Sequence, residues 1–311
     1  MAGWAYADIW EAIAAAVPGR RAQVQGPREL SWGEFDARAN AIARAFLDAG
    51  LKQQSKVAAF LYNGPEYLET YYAAFKAGLA PVNTNYRYGV EELVYLFDNA
   101  DAEAVVFHAA FAEVAAKARA RLPKVKAWIA VAQPGHPAPD WAEDYEVIAD
   151  RAEGRVIAPW GRSGDDLLLM YTGGTTGMPK GVMWRQEDIF FAAMGGGGWG
   201  AEPISVADQL VGRLNPDESG RLAMLVVGPL MHGNAQWAMW NAIMMAGTTV
   251  LYTEHHFDPD RILRMIGDEG ASKALKTDTS PMAKRTSAPT SWAATCSARS
   301  VERGAATVGR W

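Results

Sequence analysis

The sequence predicts an α/β protein built from mainly parallel sheets flanked by helices. Three observations carry that expectation. Short apolar stretches alternate with helix-length amphipathic ones from Lys56 to Val131. The alternation resumes after a proline-rich break at residues 133–141. No internal repeat points to a solenoid or propeller.

Taken in order, residues 1–17 read as an amphipathic helix. They lack the basic start of a secretory signal, and Asp8 and Glu11 interrupt the apolar run. Ser31-Trp32-Gly33-Glu34 has capping-box spacing and opens a helix to about Ala49, with Gly50 as its stop. Strands are expected at 56–61, 80–83, 104–108 and 127–131, and helices at 65–77, 90–99 and 110–122. In the helix at 65–77, Leu68, Tyr71 and Phe75 share one face and Gly78 follows. Beyond the break, strands are expected at 166–171, 181–184, 222–227 and 248–252, with a helix at 235–245. Asp258-Pro259 supplies an N-cap and first-turn proline for one more helix.

Composition narrows the function. The chain has 311 residues and a net charge of -5, with no basic face, so a nucleic-acid partner is not expected. Cys296 is the single cysteine, so no disulfide can form within the chain, which fits a cytoplasmic setting. Residues 222–252 hold no Asp, Glu, Lys or Arg. A membrane span is rejected there, because Gly228-Pro229 and His232-Gly233-Asn234 would break the backbone inside lipid.

The chemistry concentrates in MYTGGTTGMPKGVMW, residues 170–184. Its glycines allow close backbone approach, its threonines offer hydroxyls, and Lys180 adds a mobile positive charge. Such a loop between apolar strands suits a polyphosphate. It is not the P-loop of the NTPases, which needs Gly-Lys followed by Ser or Thr opening a helix, nor a Gly-x-Gly-x-x-Gly dinucleotide loop.

At these residues the chain resembles the adenylate-forming superfamily of acyl-CoA synthetases, luciferases and peptide-synthetase adenylation domains. The family pattern is Tyr-Thr-Ser-Gly-Thr-Thr-Gly-x-Pro-Lys-Gly. Tyr171 to Gly181 match it with one change, Gly173 for the usual serine. FKAGLAPVNTNYRYGVEELVYLFDNADAEAVV resembles an early family segment, and PLMHGNAQW, from Pro229 to Trp237, a second core motif. The resemblance implies ATP-dependent conversion of a carboxylic acid to acyl-AMP, then transfer to coenzyme A. It also implies that Thr172, Gly173, Gly174, Thr175, Thr176, Gly177 and Lys180 bind ATP, with Thr175 and Thr176 on Mg²⁺. Lys180 and His232 are the implied catalytic residues, and His232, Asn234 and Trp237 the implied contacts to the acid. Trp237, Trp240 and Met244 share one helical face, where core packing and pocket lining are equally open readings. A bulky apolar or fatty acid is the expected substrate.

His255-His256 does not read as a metal site, because neighbours on a strand point to opposite faces. The glycine run 195–198 reads as a flexible helix end. Cys296 has no histidine near it in sequence and does not read as a nucleophile.

The resemblance covers roughly residues 1–270. The division expected is a first α/β subdomain at 1–160, a second with the phosphate loop at 161–270, and an aberrant tail at 271–311. Ala, Ser and Thr make up half of that tail, and Ile, Phe and Tyr are absent, as in a frameshifted or disordered stretch. The adenine-contacting segment, the ribose-binding aspartate and the C-terminal lysine domain of the family are not found in the 311 residues. The fold expected is therefore an incomplete large N-terminal domain, inactive by itself. The alternative is a non-catalytic module that binds an acyl group or a partner. Oligomeric state is left open.

Overall fold

The computed structural model describes residues 5–174, 177–197, 202–214, 222–254, 256–269 and 273–275. The chain begins with α1 (Tyr6–Ala16), a hairpin of β1 (Arg21–Gln25) and β2 (Arg28–Ser31), and α2 (Trp32–Asp48). There follow β3 (Lys56–Phe60), α3 (Pro65–Lys76), β4 (Ala80–Asn83), α4 (Val90–Asn99), β5 (Ala102–His108), α5 (Ala112–Arg119) and β6 (Ala127–Val131). After β7 (Glu143–Asp144) and α6 (Tyr145–Ala149) come β8 (Leu167–Gly174), β9 (Gly177–Arg185) and α7 (Gln186–Met194). The remainder is α8 (Ala207–Val211), β10 (Ala223–Val226), α9 (Gly233–Met244), β11 (Thr248–Leu251), α10 (Pro259–Asp268) and β12 (Lys273–Leu275).

Two sheets form. A seven-stranded sheet runs β7-β6-β5-β3-β4-β8-β9, and a five-stranded one runs β12-β10-β11-β1-β2. Every pairing is parallel except the β8–β9 and β1–β2 hairpins. Each sheet draws strands from both sides of residue 160. β12 lies within the stretch expected to be a tail, yet pairs in parallel with β10. Residues 276–311, with Cys296, lie outside the described residues.

The two-residue period of the strands sorts the core into layers. Val57 and Ala59 of β3 face a core shared with α1, α2, α3 and α9, and Met224, Val226 and Leu251 reach it from the other sheet. Ala58 and Phe60 face the opposite way, onto Leu93, Leu96 and Phe97 of α4 and Ala115 and Ala118 of α5. On the far side of the five-stranded sheet, Val24, Leu225 and Val250 meet Ile262 and Met265 of α10. The order is helix, sheet, helix, sheet, helix. Burying Phe35, Phe46 or Phe75 contributes roughly 1.5–3 kcal/mol each.

α2 is capped as expected: Glu34 N–H donates to the Ser31 hydroxyl, and Ser31 N–H donates to the Glu34 carboxylate. α3 differs from expectation. It is buried on every face rather than one, because it sits between the sheets. Its charges therefore need partners inside the protein. Glu69 is fully buried and accepts from Arg38 at 2.9 and 3.2 Å and from the Tyr145 hydroxyl at 2.8 Å. Lys76 is fully buried between Glu11, at 2.6 Å, and Asp36, at 2.8 Å. Arg162 holds Glu11 as well, at 2.8 Å, which ties α1 to the chain that leads into β8.

Candidate active site

The Gly/Thr/Lys motif is a β-hairpin at the edge of the larger sheet. Residues 172–180 were expected to be loop. The structure places 172–174 at the end of β8 and 177–180 at the start of β9. Glycine-rich composition argues for a loop, but cross-strand pairing overrides it: Thr172 faces Lys180 and Gly174 faces Gly177. The ladder uses part of the backbone that the loop reading had left for a ligand. Thr175 and Thr176, the expected metal contacts, lie outside the described residues.

Directly paired residues of an antiparallel ladder project to the same face. The Thr172 hydroxyl and the Lys180 ammonium therefore share one side of the hairpin, and both are exposed. A side chain at Gly173 would meet nothing within 4 Å, so the backbone there faces open space. Gly177 has φ 157°, which favours glycine.

The next pair is Tyr171 and Gly181. The Tyr171 ring lies over Gly181, and its hydroxyl donates to Asn99 Oδ1 at 2.8 Å. Burial, then the nearby Tyr95 and Asp101, push the phenol pKa up to about 12, so it remains a neutral donor at pH 7.

The second motif forms the turn after β10. His232 is the N-cap of α9; its N–H donates to Pro229 O at 3.0 Å, and its side chain makes no capping bond. The residue is exposed overall. The protein around the imidazole, then the charge of Arg87, lower its pKa, which favours the neutral ring. Asn234 is exposed on the first turn of α9.

The aromatic face of α9 divides. Trp240 and Met244 are core residues, Trp240 lying within 6.3 Å of the Tyr6, Tyr71 and Phe75 rings. Trp237 is half-buried, edge-to-face with Trp184 of β9 at 5.6 Å.

Three amide side chains that the sequence did not single out hold the two motifs. Asn63 accepts from Leu230 N–H at 2.8 Å and donates to Gly228 O at 3.1 Å. Gln236 donates to Leu230 O at 2.6 Å. Asn83, at the end of β4, bonds both the hairpin and the turn. The site thus lies at the carboxyl ends of β4, β8 and β10, where open parallel sheets bind ligands. Among the described residues no group of three or more His, Cys, Asp or Glu side chains could hold a metal ion. No helix of the described residues is long and apolar enough to cross a membrane.

The layered α/β fold thus carries an exposed Gly/Thr/Lys hairpin at its strand ends. The AMP-binding enzyme family model covers residues 10–275, and the chain belongs to that family, in its acyl-CoA ligase branch. It is 36% identical over 277 residues to medium-chain acyl-CoA ligase Mig of Mycobacterium avium, spanning 84% of this chain and 50% of that one. It is 34% identical over 270 residues to a medium/long-chain-fatty-acid–CoA/3-oxocholest-4-en-26-oate–CoA ligase of Mycolicibacterium smegmatis, spanning 84% and 47%. The chain thus spans about half the length of these relatives. The fold is also that of the N-terminal domain of FACL13 from Mycobacterium tuberculosis, with TM-score 0.70, 22% identity, and coverage of 88% of this chain and 62% of that one.

Proposed function

We propose that this chain carries the polyphosphate-binding and acyl-positioning part of an acid–thiol ligase. The substrate is a medium- or long-chain fatty acid or a bulky polycyclic acid, the classes named for its relatives. In the reaction the carboxylate oxygen attacks the α-phosphorus of ATP and pyrophosphate leaves. The thiol of coenzyme A then attacks the acyl carbonyl and AMP leaves. A carboxylic acid of pKa about 4 is already ionised at neutral pH, so the first step needs no general base. Its barrier is electrostatic, an anion approaching an anionic phosphate.

The observation that carries this reading is the shared exposed face of Thr172 and Lys180. Lys180 neutralises phosphate charge, Thr172 donates a hydrogen bond, and Gly173 lets phosphate oxygens approach the backbone. Neutral His232 orients the acid beside the α-phosphate. Asn234 lies beside it, and Trp237 with Trp184 borders the acyl chain. The described residues supply no carboxylate cage for Mg²⁺. Thr175 and Thr176 are the proposed protein contacts of such an ion, which would supply charge screening at the phosphates.

Isothermal titration of the 311-residue chain with ATP tests the reading. Saturable binding that Lys180→Ala weakens tenfold or more supports it, and equal affinity of the variant overturns it.

A further inference from the structure

The β4–β8 ladder stops early. Val82 and Leu169 pair in register, although β8 continues to Gly174. Where the ladder ends, the Asn83 side chain takes both backbone groups of Tyr171. Tyr171 N–H donates to Asn83 Oδ1 at 2.6 Å, and Asn83 Nδ2 donates to Tyr171 O at 2.9 Å. The same Nδ2 donates to Met231 O at 2.6 Å. Met231 directly precedes His232. Asn83 is 2% exposed, and both amide donors are committed. Among the described residues no other hydrogen bond joins the hairpin to this turn. Asn63 also bonds this turn, and its hydrogen bonds go to Gly228, Leu230 and Tyr252 rather than to the hairpin.

We infer that Asn83 is a positioning residue that fixes the phosphate hairpin relative to the turn carrying His232, so that the two motifs move as one body. The inference rests on the proposed reading of the hairpin as the polyphosphate site. The reacting carboxylate and α-phosphate are held by separate stretches of chain, and a near-attack geometry needs the reacting atoms about 3–3.5 Å apart. Beside the Trp184–Trp237 ring contact, this amide sets the offset between those stretches. A ligand seated on the hairpin is therefore felt at His232 through Asn83.

Two measurements test this. The first needs no ligand: hydrogen exchange of Asn83→Ala, Asn83→Asp and Asn63→Ala. Asn83→Ala should speed exchange tenfold or more in both β8 and residues 230–236, whereas Asn63→Ala speeds it in the turn alone. Asn83→Asp keeps the acceptor for Tyr171 N–H but loses the donors, so Tyr171 stays protected while the turn loosens. Asn83→Ser, which removes the amide and buries no charge, decides the matter by the same exchange readout should the other Asn83 variants fail to fold. Unchanged β8 exchange in Asn83→Ala, or equal loosening of β8 by Asn63→Ala, overturns the inference.

The second follows the His232 imidazole resonance of histidine-labelled protein during titration with ATP. The wild type and Asn63→Ala should shift, and the Asn83 variants should bind ATP with the shift reduced at least threefold. A full shift in the Asn83 variants overturns the inference. If the wild type binds no ATP, the polyphosphate reading fails, and hydrogen exchange still decides the role of Asn83.

Discussion

The ring of Tyr171 lies against the α-carbon of Gly181, its cross-strand partner. A Cβ at position 181 would meet ring carbons Cε2 and Cζ at 2.7 Å. The ring cannot swing aside freely, because its hydroxyl is bonded to Asn99. Gly181→Ala should therefore cost about 1–3 kcal/mol, the range for overpacking. Gly173→Ala, with open space at its Cβ, should leave stability within about 0.5 kcal/mol of wild type. Urea denaturation of both variants checks the contrast, and equal losses would refute the packing explanation.

Glu11 makes acid stability predictable. Burial opposes its ionisation, but Arg162 and Lys76 outweigh that effect and bring its pKa from 4.5 to about 2. A carboxylate lowered in this way stabilises the fold above its unfolded pKa, and the contribution fades as pH falls from about 4.5 towards 2. Glu11→Gln should lose on the order of 3 kcal/mol at pH 7, with the gap to wild type closing across that window. A pH-independent gap in the unfolding free energy would count against the ion-pair account.

His232 should titrate below the usual histidine range. The protein packed around one side of the imidazole is the larger cause and Arg87 the second, so Arg87→Gln should raise its pKa only in part. Histidine NMR against pH reads this directly, and an unchanged value in the variant would remove Arg87 from the site.

β9 is an edge strand. Val182 is 43% and Met183 70% exposed, and among the described residues no strand pairs with its outer side. Such an edge invites pairing between chains. The purified chain should self-associate as its concentration rises, and Met183→Lys should reduce this in sedimentation experiments. Concentration-independent sedimentation of the wild type would show the edge to be protected.

What could be read in advance follows from where each signal lies. The cap of α2 and the limits of β4, α4 and β6 are set by neighbouring residues, and the sequence located them. β1 is RAQVQ, polar in three of five positions, yet Gln23 is 1% exposed because β11 pairs alongside it. No local pattern announces that. The hairpin motif was found by its order of residues, but glycine and threonine concealed its strand pairing. Asn83 left no trace as a clamp, since its partners lie 88 and 148 positions away. Side-chain amides that replace a ladder are products of tertiary structure.

The most direct test of the central claim is ATP titration of three proteins: the wild type, Lys180→Ala and Lys117→Ala. Lys117 is exposed on α5 and paired with Glu113, so it controls for a general loss of positive charge. The account predicts saturable binding by the wild type and by Lys117→Ala, and affinity at least tenfold weaker for Lys180→Ala. Equal weakening by both substitutions, or no saturable binding by the wild type, would contradict the assignment of the Thr172–Lys180 face as the polyphosphate site.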